Sequence, residues 1–219
     1  MTAETPEFIR TTRTSYDTIA EDYAERFSDW RGIHTLDRAL VIGFAELVKE
    51  RGGGPVADVG SGPGHVSAAL DALGVPVFGV DVSPRMVELA RRSHPELRFH
   101  VGSMTALDLP AGTLGGIVAL YSTIHVPDAH LPTAFAEFHR VLEPGGYVLL
   151  AFQTADEADH LHLAERFGHE IDLDYYWRTP DKVAEHLTQA GLQLISRVRR
   201  EPLDGEKYAR GFLVARKPG

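Results

Sequence analysis

The chain has 219 residues, 43% of them hydrophobic and 24% charged, which suits one ordinary domain with a sizeable core and leaves little room for two. A net charge of −9 argues against nucleic acid as the main partner, because neutralising phosphates takes basic surface. Without cysteine there is no disulfide framework, thiolate metal site or cysteine nucleophile.

The N-terminal Met1-Thr-Ala-Glu-Thr-Pro-Glu7 is acidic and lacks a signal peptide's basic-then-apolar layout, and no apolar run approaches the ~20 residues that span a bilayer. The expected location is cytoplasmic, with no membrane partner. Tyr16, Ile19, Ala20, Tyr23 and Phe27 fall on one face of a predicted helix, and Leu36, Leu40, Phe44 and Leu47 on one face of the next. Arg51-Gly-Gly-Gly-Pro55 stops that second helix. Strand and helix patterns then alternate. Strands are predicted near 55–59, 76–80, 97–101, 116–121 and 147–152, and helices near 65–73, 84–93 and 131–142. Ser83-Pro84 offers a capping hydroxyl and a preset first helical residue. Such alternation predicts a parallel sheet covered by helices on both faces.

Thr154 to Asp174 is rich in Asp, Glu and His and gives no clear strand; His160-Leu-His162 is expected on a solvated acidic helix, where residues two apart diverge and share no metal. No metal site is expected. Thr179-Pro180 opens a helix that Gly191 ends. Two β patterns, Leu192 to Arg199 and Tyr208 to Ala215, close the chain around a Pro202/Asp204-Gly205 turn and predict an antiparallel pair. The basic run Arg197 to Arg200 is expected to be a solvated strand face.

The most telling segment is Val56-Ala-Asp-Val-Gly-Ser-Gly-Pro-Gly-His-Val-Ser67. An apolar strand carrying Asp58 runs into Gly60, Ser61, Gly62 and Gly64 and then into a helical pattern. Glycines permit a tight turn and close approach of a ligand, and the following helix aims free N–H groups at whatever lies above. Seventeen residues past Gly64 a second strand, Val77-Phe-Gly-Val80, ends in Asp81, where a ribose diol would meet a two-oxygen acceptor. A dinucleotide fingerprint wants glycine where His65 stands, and Asp58 would oppose a pyrophosphate. S-Adenosylmethionine lacks phosphate and carries a cationic amine, which Asp58 would attract.

At these residues the chain resembles the class I S-adenosylmethionine-dependent methyltransferases, in particular the small bacterial "methyltransferase domain" group. The resemblance takes in Tyr16-Asp-Thr-Ile-Ala-Glu-Asp-Tyr23, Asp58 to Gly64, Gly79-Val-Asp-Val-Ser-Pro84, Gly102-Ser-Met104 and Leu142-Glu-Pro-Gly-Gly-Tyr-Val-Leu-Leu150. It implies a three-layer α/β Rossmann-like fold: a mostly parallel seven-stranded sheet with an antiparallel C-terminal strand, plus N-terminal helices. One domain is expected over 1–219, with a helical cap at 1–50 and an acceptor-covering insertion at 153–178. By resemblance the first helix closes over the methionine end of the cofactor, bringing in Tyr16 and Tyr23. Val82, Met86 and Met104 would wall the adenine. Ser103, where many relatives carry Asp, would accept from the adenine amine.

The fourth strand runs out through Tyr121, Ser122 and His125, where the transferable methyl and the acceptor should meet. Tyr121 is assigned to the cofactor, Ser122 to the acceptor, and His125 to general-base catalysis, with a rate rising through a pKa near the imidazole value. His169, Tyr175, Tyr176 and Trp177 are candidates for the acceptor wall. The expected function is methyl transfer from S-adenosylmethionine to a small-molecule acceptor, leaving S-adenosylhomocysteine. The competing readings are a nucleotide-dependent oxidoreductase and a non-catalytic adenosyl-binding module.

Overall fold

The computed structural model describes residues 5–27, 29–52 and 54–219. Met1 to Glu4 and Gly53, part of the N-terminal and glycine-stop readings above, lie outside the described residues, as does Ser28. Two helices, α1 (Glu7–Phe27) and α2 (Thr35–Glu50), precede the first strand. Then follow β1 (Val56–Val59), α3 (His65–Ala72), β2 (Val77–Asp81), α4 (Pro84–Ser93), β3 (Arg98–Val101), β4 (Leu114–Leu120), α5 (Leu131–Val141) and β5 (Leu142–Thr154). The chain ends with β6 (Asp159–Arg166), β7 (His169–Trp177), α6 (Pro180–Gln189), β8 (Gln193–Arg200) and β9 (Ala209–Arg216).

Seven strands form one sheet in the order β3-β2-β1-β4-β5-β9-β8, and only β9 runs antiparallel to its neighbours. Successive strand residues point to opposite faces. Val56, Val118 and Leu149 therefore meet Phe44 and Val48 of α2 and Leu70 of α3 on one side. Ala57, Ile117, Val148 and Leu150 meet Phe135 and Phe138 of α5 on the other. The expected caps form: Ser83 Oγ accepts from Met86 N–H at 3.0 Å, and Thr179 Oγ1 from Lys182 N–H at 3.2 Å.

Three expectations are corrected. The buried face of α2 is Asp37, Val41, Phe44, Ala45 and Val48, while Leu36 is exposed. Residues 159–177 form an antiparallel hairpin, β6 and β7, turning at Phe167-Gly168, both with positive φ. On a strand, residues two apart share a face, so His160 and His162 lie side by side and both rings bond Asp174 Oδ1, at 2.9 and 3.1 Å. Of the basic run, Arg197 and Arg199 are solvated, but Arg200 is buried between Asp37 and Glu206. Among the described residues no helix is long and apolar enough to cross a membrane.

Candidate active site

The strand order reverses between β1 and β4, so their following loops diverge and leave a crevice beyond the carboxyl ends of the sheet. The crevice floor comes from the turns after β1 to β4, and α1 forms its roof through Phe8, Ile9, Thr12, Tyr16 and Tyr23. Helix α1 is fastened on both sides. Asp17 Oδ1 accepts from Ser83 Oγ at 2.6 Å and Arg85 N–H at 3.0 Å, and Ser15 Oγ donates to the Asp172 carbonyl of β7 at 2.8 Å.

The glycine turn is shaped by close packing. A Cβ on Gly60 would stand 2.2 Å from Ser122 Cβ, and one on Gly64 would stand 2.7 Å from the Phe99 ring. Both residues have left-handed φ, of 80° and 89°, which side chains resist. Gly60 and Gly62 line the crevice; Ser61 and Gly64 stand behind the turn. Asp81 is buried at the crevice edge, with Oδ2 accepting from Gly62 N–H at 2.8 Å and Oδ1 from Ser83 N–H at 2.9 Å. Each carboxylate oxygen keeps a lone pair for a ligand hydroxyl. Val82, Met86 and Met104 supply apolar wall, and Ser103 joins them with its hydroxyl bonded to Thr105 Oγ1 at 2.9 Å.

Asp58 is placed differently from its expected role as partner to a cationic amine. It is buried behind the turn and accepts from Ser67 Oγ at 2.7 Å, tying β1 to α3. Burial lifts its pKa to about 7 against the bond from Ser67, and that of Asp81 to about 6 against its backbone N–H bonds. Both groups bind protons more readily in the folded chain than at the ordinary 3.8. Their stabilisation is full below about pH 4 and is lost as pH rises through 6 and 7. Half-buried His65 and buried His125, both pushed down to about 4 by desolvation, act oppositely, but only between about pH 4 and 6.5. From pH 6.5 to 8 the unliganded protein should therefore lose stability. Asp58 contributes about 1 kcal/mol of that loss, roughly 2–4 °C in Tm. Thermal unfolding of Asp58→Asn at both pH values should show a smaller drop, and a drop equal to the parent's would refute the assignment.

The fourth strand's exit is also strained. Tyr121 adopts φ 55°, a left-handed conformation for a bulky side chain, pinned by its N–H to the Ala151 carbonyl at 2.7 Å. Tyr121 and Ser122 line the crevice, and Ser122 Oγ donates to the Val59 carbonyl at 2.8 Å. His125 lines it too, but burial holds its pKa near 4, so the predicted titration near the ordinary imidazole value is corrected downward. Its Nε2 lies 2.8 Å from Tyr16 Oη and its Nδ1 2.8 Å from the Asp174 carbonyl.

The remaining candidates divide by strand alternation. Tyr175 points inward, its ring 4.6 Å from His125. Trp177 is buried against Tyr208, away from the crevice; Tyr176 faces outward and stacks on His160; His169 pairs with Asp22 at 2.9 Å. None of these last three lines the crevice. Sequence reasoning missed Phe8, Ile9, Thr12, Val59, Gly102, Leu120 and Val126. Ile9, Thr12, Tyr16, Ala20 and Tyr23 continue one helical stripe, a signal available in the spacing.

The methyltransferase domain family matches residues 56–146, from β1 into the start of β5. A demethylmenaquinone methyltransferase of Chlorobaculum parvum is 33% identical over 92 residues, 42% of this chain and 37% of that protein. The O-methyltransferase cnsE of Penicillium expansum is 33% identical over 141 residues, 58% of this chain and 50% of that protein. The chain thus spans half or less of the length of these two relatives. Among solved structures, the 1,6-didemethyltoxoflavin-N1-methyltransferase of Burkholderia thailandensis superposes with a TM-score of 0.70 at 22% identity. The match covers 99% of this chain and 94% of that one. Motif, strand order and matched domain agree: residues 56–146 match a methyltransferase domain, and the chain has the fold of Rossmann-like S-adenosylmethionine-dependent methyltransferases.

Proposed function

We propose that this protein transfers a methyl group from S-adenosylmethionine to a small-molecule acceptor, releasing S-adenosylhomocysteine. The observation that carries the reading is the Asp81–Gly62 contact at the crevice edge. In a dinucleotide site the N–H groups of such a turn face a pyrophosphate. Here Gly62 N–H is taken by a carboxylate, and among the described residues no lysine or arginine lines the crevice. That arrangement repels phosphate and suits a ligand with a ribose diol and a cationic end.

The residues fit that ligand in order along the crevice. Asp81 accepts the ribose hydroxyls, Val82, Met86 and Met104 flank the adenine, and Ser103 offers its hydroxyl to the adenine edge. The backbone of Gly60 and Gly62 faces the methionine part, while Tyr16 and Tyr23 close over it and exclude water. The cofactor supplies a methyl group already activated on a sulfonium. The chain's part is alignment, which can supply roughly 7–11 kcal/mol of barrier reduction. Tyr121 and Ser122 shape the rim where the acceptor enters. The insertion at 153–178, with its hairpin at 159–177, covers that rim through Tyr175, and one domain over 1–219 carries the whole site. The relatives named for demethylmenaquinone and for O-methylation support a small acceptor. Calorimetry should show binding of S-adenosylhomocysteine and none of NADH; the reverse preference would refute the proposal.

A further inference from the structure

A line of hydrogen bonds joins the crevice to the hairpin, and its direction is fixed at the hairpin end. At that end a backbone carbonyl only accepts, so the Asp174 carbonyl, 2.8 Å from His125 Nδ1, requires the hydrogen on Nδ1. The neutral ring then offers a lone pair at Nε2, and Tyr16 must donate to it across 2.8 Å. Both bonds point the same way, an arrangement in which each strengthens the other. Tyr16 Oη has given its hydrogen to His125, and its lone pairs remain, on a residue that lines the crevice.

We propose that Tyr16 is a catalytic residue that takes the proton of a phenolic hydroxyl acceptor and passes its own to His125. The inference rests on the methyltransferase reading above. As the acceptor oxygen bonds the methyl carbon and the sulfur keeps the electrons of the broken C–S bond, the acceptor's O–H proton moves to Tyr16 Oη. The Tyr16 hydrogen moves to His125 Nε2, leaving an imidazolium held by the Asp174 carbonyl. An oxygen gaining a methyl cation becomes far more acidic than any imidazolium, so a weakly basic ring suffices as the terminus. The aromatic walls Phe8, Tyr16 and Tyr23 suit a flat apolar acceptor, and the lone pair on Tyr16 is directed to a hydroxyl rather than to a carbon.

Two measurements test this on the full chain. In protein labelled with ¹⁵N-histidine, with the His125 signals identified by their loss in His125→Gln, NMR should find Nδ1 protonated and Nε2 bare at neutral pH. A hydrogen on Nε2 reverses the line and overturns the proposal without any activity assay. Turnover is then followed as S-adenosylhomocysteine release with phenol, 4-cyanophenol and 4-nitrophenol at fixed pH. Tyr16→Phe should lower kcat for phenol by roughly 10²–10⁴-fold, and the loss should shrink steadily as the acceptor becomes more acidic and sheds its proton unaided. Equal losses across the series would reduce Tyr16 to a wall. A parent protein that binds S-adenosylhomocysteine but methylates none of the three overturns the phenol assignment; failure to bind S-adenosylhomocysteine instead overturns the methyltransferase reading.

Discussion

Arg200→Met should destabilise the protein by about 3–5 kcal/mol, the cost typical of stranding a buried charge. Arg200 is 7% exposed and Asp37 6%. The guanidinium holds Asp37 through Nε at 2.8 Å and Nη2 at 3.1 Å, and Glu206 through Nη1 at 2.7 Å and Nη2 at 3.0 Å. Those bonds hold the Glu206 carboxyl down at about 2. With methionine in place, Glu206 keeps Arg210 at 3.2 Å, whereas among the described residues Asp37 is left with His34 at 4.0 Å. The stranded charge is therefore Asp37. Replacing both partners, Arg200→Met with Asp37→Leu, should recover most of the loss, because the pair's attraction is largely offset by its desolvation. Urea unfolding of the two variants decides the point; a single variant within 1 kcal/mol of the parent would mean that the network is inert.

The same pair shows where sequence reading stops. Val56 to Ser67 and Gly79 to Pro84 carried their structure locally: an apolar strand, a turn only glycine tolerates, and a hydroxyl with proline at a helix start. The buried face of α2 was displaced from the predicted one because Asp37 turns inward to Arg200, a partner 163 residues away that no local pattern marks. The hairpin was legible in principle. His-Leu-His-Leu at 160–163 and the inward Ile171, Leu173, Tyr175 and Trp177 alternate with period two, but the density of Asp, Glu and His masked the pattern. His125 was located on the rim from strand order alone. Its low pKa was not readable, since that depends on burial under α1 and the hairpin, two elements far from it in sequence.

Asp81→Ala should weaken S-adenosylhomocysteine binding by roughly 100-fold or more while leaving the fold intact. Two ribose hydroxyls donating to one carboxylate are each worth roughly 1.5–3 kcal/mol. The substitution also releases Gly62 N–H and Ser83 N–H, so the glycine turn and the α4 cap lose their shared anchor. Asp81→Asn should be little better, because an amide has one accepting oxygen and its NH2 would face one of those two backbone donors. Adenosine carries the same ribose and should lose as much as S-adenosylhomocysteine. Asp58→Asn, behind the turn, should change the ratio of the two affinities very little. Protonation mimics the substitution: with the Asp81 pKa raised to about 6 by burial, parent affinity should fall as pH drops through 6, where the carboxyl begins to donate. The affinity of Asp81→Ala should not follow that fall. Calorimetry at pH 5 and 7.5 on both proteins measures all of this, and unchanged affinity in a folded Asp81→Ala would remove the ribose from this carboxylate.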